Sequence, residues 1–206
     1  IMKPSEVYIA RSAEPHYGPC PRGEWPEIPQ EVPPTQTLAT LRSLFHDAGL
    51  DRKSFGTRDW NPLGEIVKKG MRVVLKPNWV LHANKSGMGM DCLITHISVI
   101  EAILTYLVKA EPSVVVVGDA PIQGCDFESL NLTCGFDRIA AKFDSASTKV
   151  IVKDFRRTIR HEDKAQAGQR HDCRPLDEFV LYDMGEDSAL EEISGEDPDF
   201  RVTMYN

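Results

Sequence analysis

The sequence predicts an α/β protein: a mainly parallel sheet built from βαβ units, with helices on both faces. Three observations predict this. Residues 113–118 (SVVVVG) form a continuous β-branched run, the pattern of a parallel strand covered on both sides. Residues 95–110 place Ile97, Ile100, Leu104, Leu107 and Val108 along one helical stripe. Residues 71–76 (MRVVLK) precede that helix as another strand-forming run. Residues 71–118 therefore spell strand, loop, helix, strand.

The elements follow in order. Residues 6–10 (EVYIA) alternate and predict a short first strand. Residues 11–36 are irregular, because Pro15, Pro19, Pro21, Pro26, Pro29, Pro33 and Pro34 each remove a backbone donor. Residues 37–48 predict a helix with Leu38, Leu41, Leu44, Phe45 and Ala48 on one face, closed by Gly49. Asn61 predicts a second, short helix, with Pro62 in its first turn and Gly70 at its end. Thr95 is the expected cap of the 95–110 helix. Residues 128–143 predict a weaker helix interrupted at Gly135, and residues 149–154 (KVIVKD) a further strand.

Beyond residue 156 the chain turns basic, then acidic from Asp177 onward, a pattern expected to face water as a paired hairpin. Residues 179–182 predict an edge strand. Residues 201–205 (RVTMY) alternate like a strand with no partner after them, so a truncated domain is expected. The expected organisation is one α/β domain over 1–206. It holds an irregular segment at 11–36, a βαβ core at 61–155 and a charged extension at 156–206.

Composition narrows the function. A net charge of −7 argues against general nucleic-acid affinity, which needs a basic surface. The five cysteines are odd in number, widely spaced and free of any CxxC, which disfavours a disulfide framework and an iron–sulfur cluster. Apolar runs such as 114–117 are too short to span a bilayer, and no signal-peptide pattern is present. A cytoplasmic protein is expected, with no membrane and no nucleic-acid partner, and with a homo-oligomer left open.

Ligands of open α/β sheets bind beyond the carboxyl ends of the strands. One such end here is Lys76-Pro77-Asn78, the other Gly118-Asp119-Ala120-Pro121. In a parallel pair, Lys76 and Asp119 emerge on one edge. A strand-end lysine needs an anion or a carbonyl partner, and a strand-end aspartate needs a cation or donors. They can simply be each other's partner. They can also be a site, with Lys76 as anion binder or electrophile and Asp119 as general base or lysine orienter. Pro77 restrains Lys76 to extended geometry. Asn78 offers one acceptor and two donors, and Thr95 opens a helix whose N-terminus favours anions. With Gly118 and Gln123 from GDAPIQG, these complete the candidate ligand-binding set. The polar turn 84–89 (NKSGMG) is placed to close over a ligand or to supply N–H groups. Neither a P-loop, nor GxGxxG, nor GxSxG is present. His82, Asp91, Cys92 and His96 lack metal-ligand spacing, so no metal site is assigned and no cofactor is named.

These residues carry a resemblance. Asn61-Pro62-Leu63-Gly64, Val73-Val74-Leu75-Lys76-Pro77-Asn78, Thr95 and Val115-Val116-Val117-Gly118-Asp119-Ala120-Pro121 resemble, in combination, the bacterial and archaeal domain-of-unknown-function family 362. The resemblance covers about a third of the chain, from residue 61 to 124. It implies an α/β domain that continues past the last residue here with a further lysine-containing motif. Some members carry ferredoxin-type cysteines, which this chain lacks. The layout is also distantly similar to the N-terminal domain of the nickel-pincer lactate racemase family, as a fold analogy. The expectation is a small-anion-binding enzyme. The alternatives are a non-catalytic interaction module, suggested by the proline-rich arm and the charged tail, and a redox or metal-dependent protein.

Overall fold

The computed structural model describes residues 6–163 and 168–179. Where one domain with an extension was expected, the chain divides into two compact units. The first comprises Ile1–Pro121 and Cys125–Asp154, the second Ile122–Gly124 and Phe155–Asn206. In chain order the first unit runs α1 (Gln36–Asp47), β1 (Arg72–Leu75), α2 (Ile97–Leu107), β2 (Val114–Asp119), α3 (Phe127–Cys134), α4 (Phe136–Phe143) and β3 (Lys149–Asp154).

The α/β class stands. The three strands form a parallel sheet in the order β1-β2-β3, with Val74 opposite Val116 and Val116 opposite Ile151. Parallel strands share side-chain direction in register. Val73, Leu75, Val115, Val117, Val150 and Val152 therefore face one way, into a core with Ile100 and Leu104 of α2 and Phe136 and Ala140 of α4. Leu104 is fully buried, a burial that contributes about 1.5–3 kcal/mol.

The other face of the sheet is the more exposed one. Among the described residues no helix covers it: Val74 is 64% exposed and Ile151 39% exposed. The run SVVVVG thus has one buried and one open side. Alternation in its neighbours RVVL and KVIVK carries the same information, since Arg72, Lys149 and Lys153 fall on the open side.

α1 packs behind α2, around a second core of Ile28, Leu38, Trp60, Ala102 and Tyr106. Its start is capped by the Thr35 hydroxyl, which accepts from the Leu38 N–H at 3.2 Å, and Gly49 follows its end in a left-handed turn (φ +73°). The proline-rich segment is irregular as expected, yet it is packed rather than loose. Cys20 N donates to Pro34 O, Gln36 N donates to Gly18 O, and Ile28 is buried against α1 and α2.

Three local expectations fail. Residues 6–10 pair with no strand, and Val7 and Ile9 are exposed, because alternation alone supplies no partner. Asn61 opens consecutive turns instead of a helix. Its N–H goes to Asp51 Oδ2 and its Nδ2 to Lys109 O, so tertiary bonds take the groups a helix cap would use. The cap of α2 is His96, not Thr95: the His96 ring Nδ1 accepts from Ser98 N at 3.2 Å. The break at Gly135 is where the sequence places it, with φ +70° separating α3 from α4.

In the second unit an antiparallel hairpin joins β4 (Thr158–Asp163) and β5 (Gly168–Cys173). This hairpin lies within the basic block, whereas basic-to-acidic pairing was expected. Arg156 is buried and donates to Ile122 O, and Arg174 Nε donates to Arg156 O. The strand expected at 201–205, the acidic block beyond residue 179 and all of the 179–182 strand except Phe179 lie outside the described residues.

Candidate functional site

β1 and β2 run parallel, so their carboxyl ends meet at one edge of the sheet. Lys76 follows β1 and Asp119 ends β2, and the structure joins them: Lys76 Nζ lies 2.8 Å from Asp119 Oδ1. The two side chains are embedded very differently. Asp119 is 7% exposed and Lys76 60% exposed.

Asp119 is occupied on both oxygens. Oδ2 accepts from Trp79 N at 2.7 Å, and Oδ1 from Ala120 N at 2.8 Å as well as from the lysine. A carboxylate holding three donors is a poor candidate for a general base, because a proton it took up would displace one of them. The geometry supports the other expected role, that of orienter. It also ties the loop after β1 to the end of β2. Lys76 has three donors. One goes to Asp119, one to Pro77 O at 3.2 Å, and the third is left for solvent or a ligand.

Asn78 and Thr95 are brought together, with a different division of labour from the one expected. Thr95 Oγ1 accepts from Asn78 N at 2.9 Å, and Thr95 N donates to Asn78 O at 2.8 Å. Next to them Trp79 and Ile94 form an antiparallel bridge. Thr95 therefore clamps the backbone of residue 78 and leaves the Asn78 side chain exposed beside Lys76 in sequence. The first turn of α2 is satisfied by His96, through its ring for Ser98 N and its carbonyl for Val99 N. An anion at that helix start has no free first-turn donor at Ser98 or Val99.

Gly118 is buried within β2, opposite Lys153. Gln123 falls in the second unit, where its Nε2 donates to Thr158 O at 2.8 Å. The 84–89 turn is braced by Asn84. Its Oδ1 accepts from Ser86 N and Oγ, its Nδ2 donates to Gly89 O, and Gly87 takes φ +75°. His82 and His96, which flank that turn, are hydrogen-bond acceptors rather than a pair. His82 Nδ1 accepts from Asp126 N at 2.9 Å at the start of α3. Asp126 caps that helix, and the Ser129 N–H and hydroxyl hold its carboxyl below the usual range.

Sequence reasoning missed a second polar cluster. Glu27, from the proline-rich segment, is buried beneath α1 and α2. Arg42 Nε donates to its Oε1 at 2.6 Å, and the Tyr106 hydroxyl donates to the same oxygen at 3.4 Å. The guanidinium lies over Phe55 at 4.6 Å and Trp60 at 5.4 Å. Burial, and then the Glu27 charge, push the Tyr106 phenol up, while burial pulls the Lys109 ammonium down. Lys109 Nζ donates to Glu27 O and Arg58 O. The available signal was a lone acid between Trp25 and Ile28, followed one helix later by an arginine among leucines. No helix among the described residues is long and apolar enough to cross a membrane. Compared with known proteins, the chain matches no family model, no curated protein and no solved structure.

Proposed function

We propose that the first unit binds a small anionic metabolite at the carboxyl edge of its sheet, with Lys76 as the contact group and the Asn78 side chain as a second polar contact. Asp119 positions the lysine and Thr95 positions the loop. One observation carries this reading. Lys76 is held within 2.8 Å of a buried carboxylate, yet its side chain stays 60% exposed with a donor to spare. A pair built for stability alone gains little in that geometry, since an exposed partner is screened by water. The likeness to domain-of-unknown-function family 362 over 61–124 belongs to the same reading, because Lys76, Asn78, Thr95 and Asp119 all lie in its motifs.

The chemistry such an edge supports is binding or polarisation of a carboxylate, phosphate or carbonyl oxygen by an oriented ammonium. The test is calorimetric titration of wild type and Lys76→Ala with inorganic phosphate and with short-chain hydroxy- and dicarboxylates. The expected result is saturable binding of one class to wild type, weakened at least about tenfold in Lys76→Ala, with thermal unfolding nearly unchanged. If no anion binds wild type and Lys76→Ala unfolds, Lys76 and Asp119 are a structural pair only.

A further inference from the structure

A cavity of about 390 Å³ lies between the arm of residues 10–17 and α1, within the size range of small-molecule sites. α1 supplies one wall. Thr37, Thr40, Leu41 and Leu44 recur at helical spacing and so share a face. Leu41 also reaches the second core, whereas Leu44 belongs to neither core cluster. Both threonine hydroxyls are already engaged, Thr37 with Ser98 Oγ at 2.8 Å and Thr40 with Gln36 O at 2.7 Å. What this wall chiefly offers a ligand is therefore the apolar surface of the two leucines.

The arm supplies the opposite wall and is pinned in place. Ser12 Oγ donates to Gln36 Oε1 at 3.4 Å, and Gln36 N donates to Gly18 O at 3.0 Å. Tyr17 stacks on the His96 ring at 3.9 Å, within 4° of parallel, yet stays 43% exposed. Charge then selects the ligand. Glu14 is the one acid on the lining, and neither lysine nor arginine lines the cavity. His16 Nδ1 accepts from Gly18 N at 2.9 Å, the bond of an uncharged ring. Among the described residues the Glu14 carboxylate has no ion-pair or hydrogen-bond partner, so its charge is not already neutralised. An anion is repelled here, and a neutral molecule leaves the carboxylate to water. A cation on an apolar body satisfies both Glu14 and the leucines, and a tyrosine ring adds attraction for it.

We infer that this cavity binds a small organic amine, its ammonium held by Glu14 and Tyr17 and its apolar body seated on Leu41 and Leu44. The site is distinct from Lys76–Asp119 and takes the opposite charge, so its fate does not depend on anion binding at the sheet edge.

The probes are 4-phenylbutylamine and 4-phenylbutanol, which share one apolar body and differ in charge. Neither is an anion, so neither reports on Lys76. Each is titrated into the isotopically labelled full chain, with affinity and location read from backbone amide shifts in nuclear magnetic resonance. The amine should saturate, move the amides of residues 10–17 and 37–44, and bind about fivefold more tightly than the alcohol. Glu14→Gln, at an exposed position, should keep the native spectrum and bring the amine down to the affinity of the alcohol. Leu44→Trp should fill the cavity and remove both. Four results would overturn the proposal: no saturable binding of the amine, shifts confined to other residues, equal affinities of amine and alcohol for wild type, or an amine preference that survives Glu14→Gln.

Discussion

Glu27–Arg42 and Lys76–Asp119 each join one carboxylate to one cation within the same unit, but they are embedded in opposite ways. In the first pair both partners are sequestered: the Glu27 side chain is 0% exposed and that of Arg42 14% exposed. The carboxylate takes donors from Arg42 and Tyr106, and the guanidinium is flanked by Phe55 and Trp60. In the second pair the acid is buried, the base reaches out of the sheet, and backbone N–H groups carry much of the acid's compensation. The first arrangement leaves no charge available to another molecule. It pins the proline-rich segment, which cannot form a ladder of its own, to α1 and α2. The second keeps an ammonium in a fixed direction and accessible.

The difference predicts opposite responses to removal of the cation. Arg42→Ala leaves the Glu27 charge buried without its counter-ion and should destabilise the chain by about 3–5 kcal/mol, read as a lower urea midpoint. A loss below 1 kcal/mol would mean that the cluster is more hydrated than its burial implies. Asp119→Ala removes the acceptor of the buried Trp79 N–H and should cost about 1–3 kcal/mol. It should also weaken anion binding, because the lysine loses its guide. Lys76→Ala should change stability by less than about 1 kcal/mol, since Asp119 keeps two backbone donors. Equal losses in Arg42→Ala and Lys76→Ala would erase the contrast.

The smallest effect concerns two surface acids. Asp126 is held below its ordinary value of 3.8 by the Ser129 N–H and hydroxyl. Asp144 is held below it first by the Lys149 hydrogen bond and then by Val150 N. A folded pKa below the unfolded one gives stability that is complete above the unfolded value. That stability is lost as pH falls from about 3.8 through the folded value. Urea midpoints between pH 6 and pH 2 should therefore fall less steeply in an Asp126→Asn/Asp144→Asn double variant than in wild type. Parallel curves would remove both acids from the acid response.

The same contrast explains what could be read from the sequence. Lys76 and Asp119 were legible because each ends a β-branched run, and parallel runs bring their ends together by topology alone. The three strands and α1, α2, α3 and α4 were legible for a similar reason: apolar spacing repeats and glycines punctuate it. Glu27–Arg42 was not legible. Its partners are fifteen residues apart, Glu27 in a stretch where proline suppresses any period and Arg42 on α1, and only the final packing makes them neighbours. Thr95 was misassigned because Thr95 and His96 are both able to cap, and the choice was made by Asn78, which takes the threonine. The turns at Asn61 escaped because Asp51 and Lys109 claim its polar groups from a distance. The open face was written in KVIVK, where lysines share a side with Ile151, but the valine run of β2 masked it.

Each charge pair also has its own tryptophan. Trp60, fully buried, lies 5.4 Å from the Arg42 guanidinium, and Trp79, 1% exposed and stacked on Phe136 at 4.2 Å, donates its main-chain N–H to Asp119. The chain holds three tryptophans, the third being Trp25. With Trp25 and Trp60 replaced by phenylalanine, emission reports the carboxyl edge of the sheet alone, and with Trp25 and Trp79 replaced it reports the arm and helix layer alone. The unfolding of the two regions can thus be followed separately, in two single-tryptophan variants, without any added label.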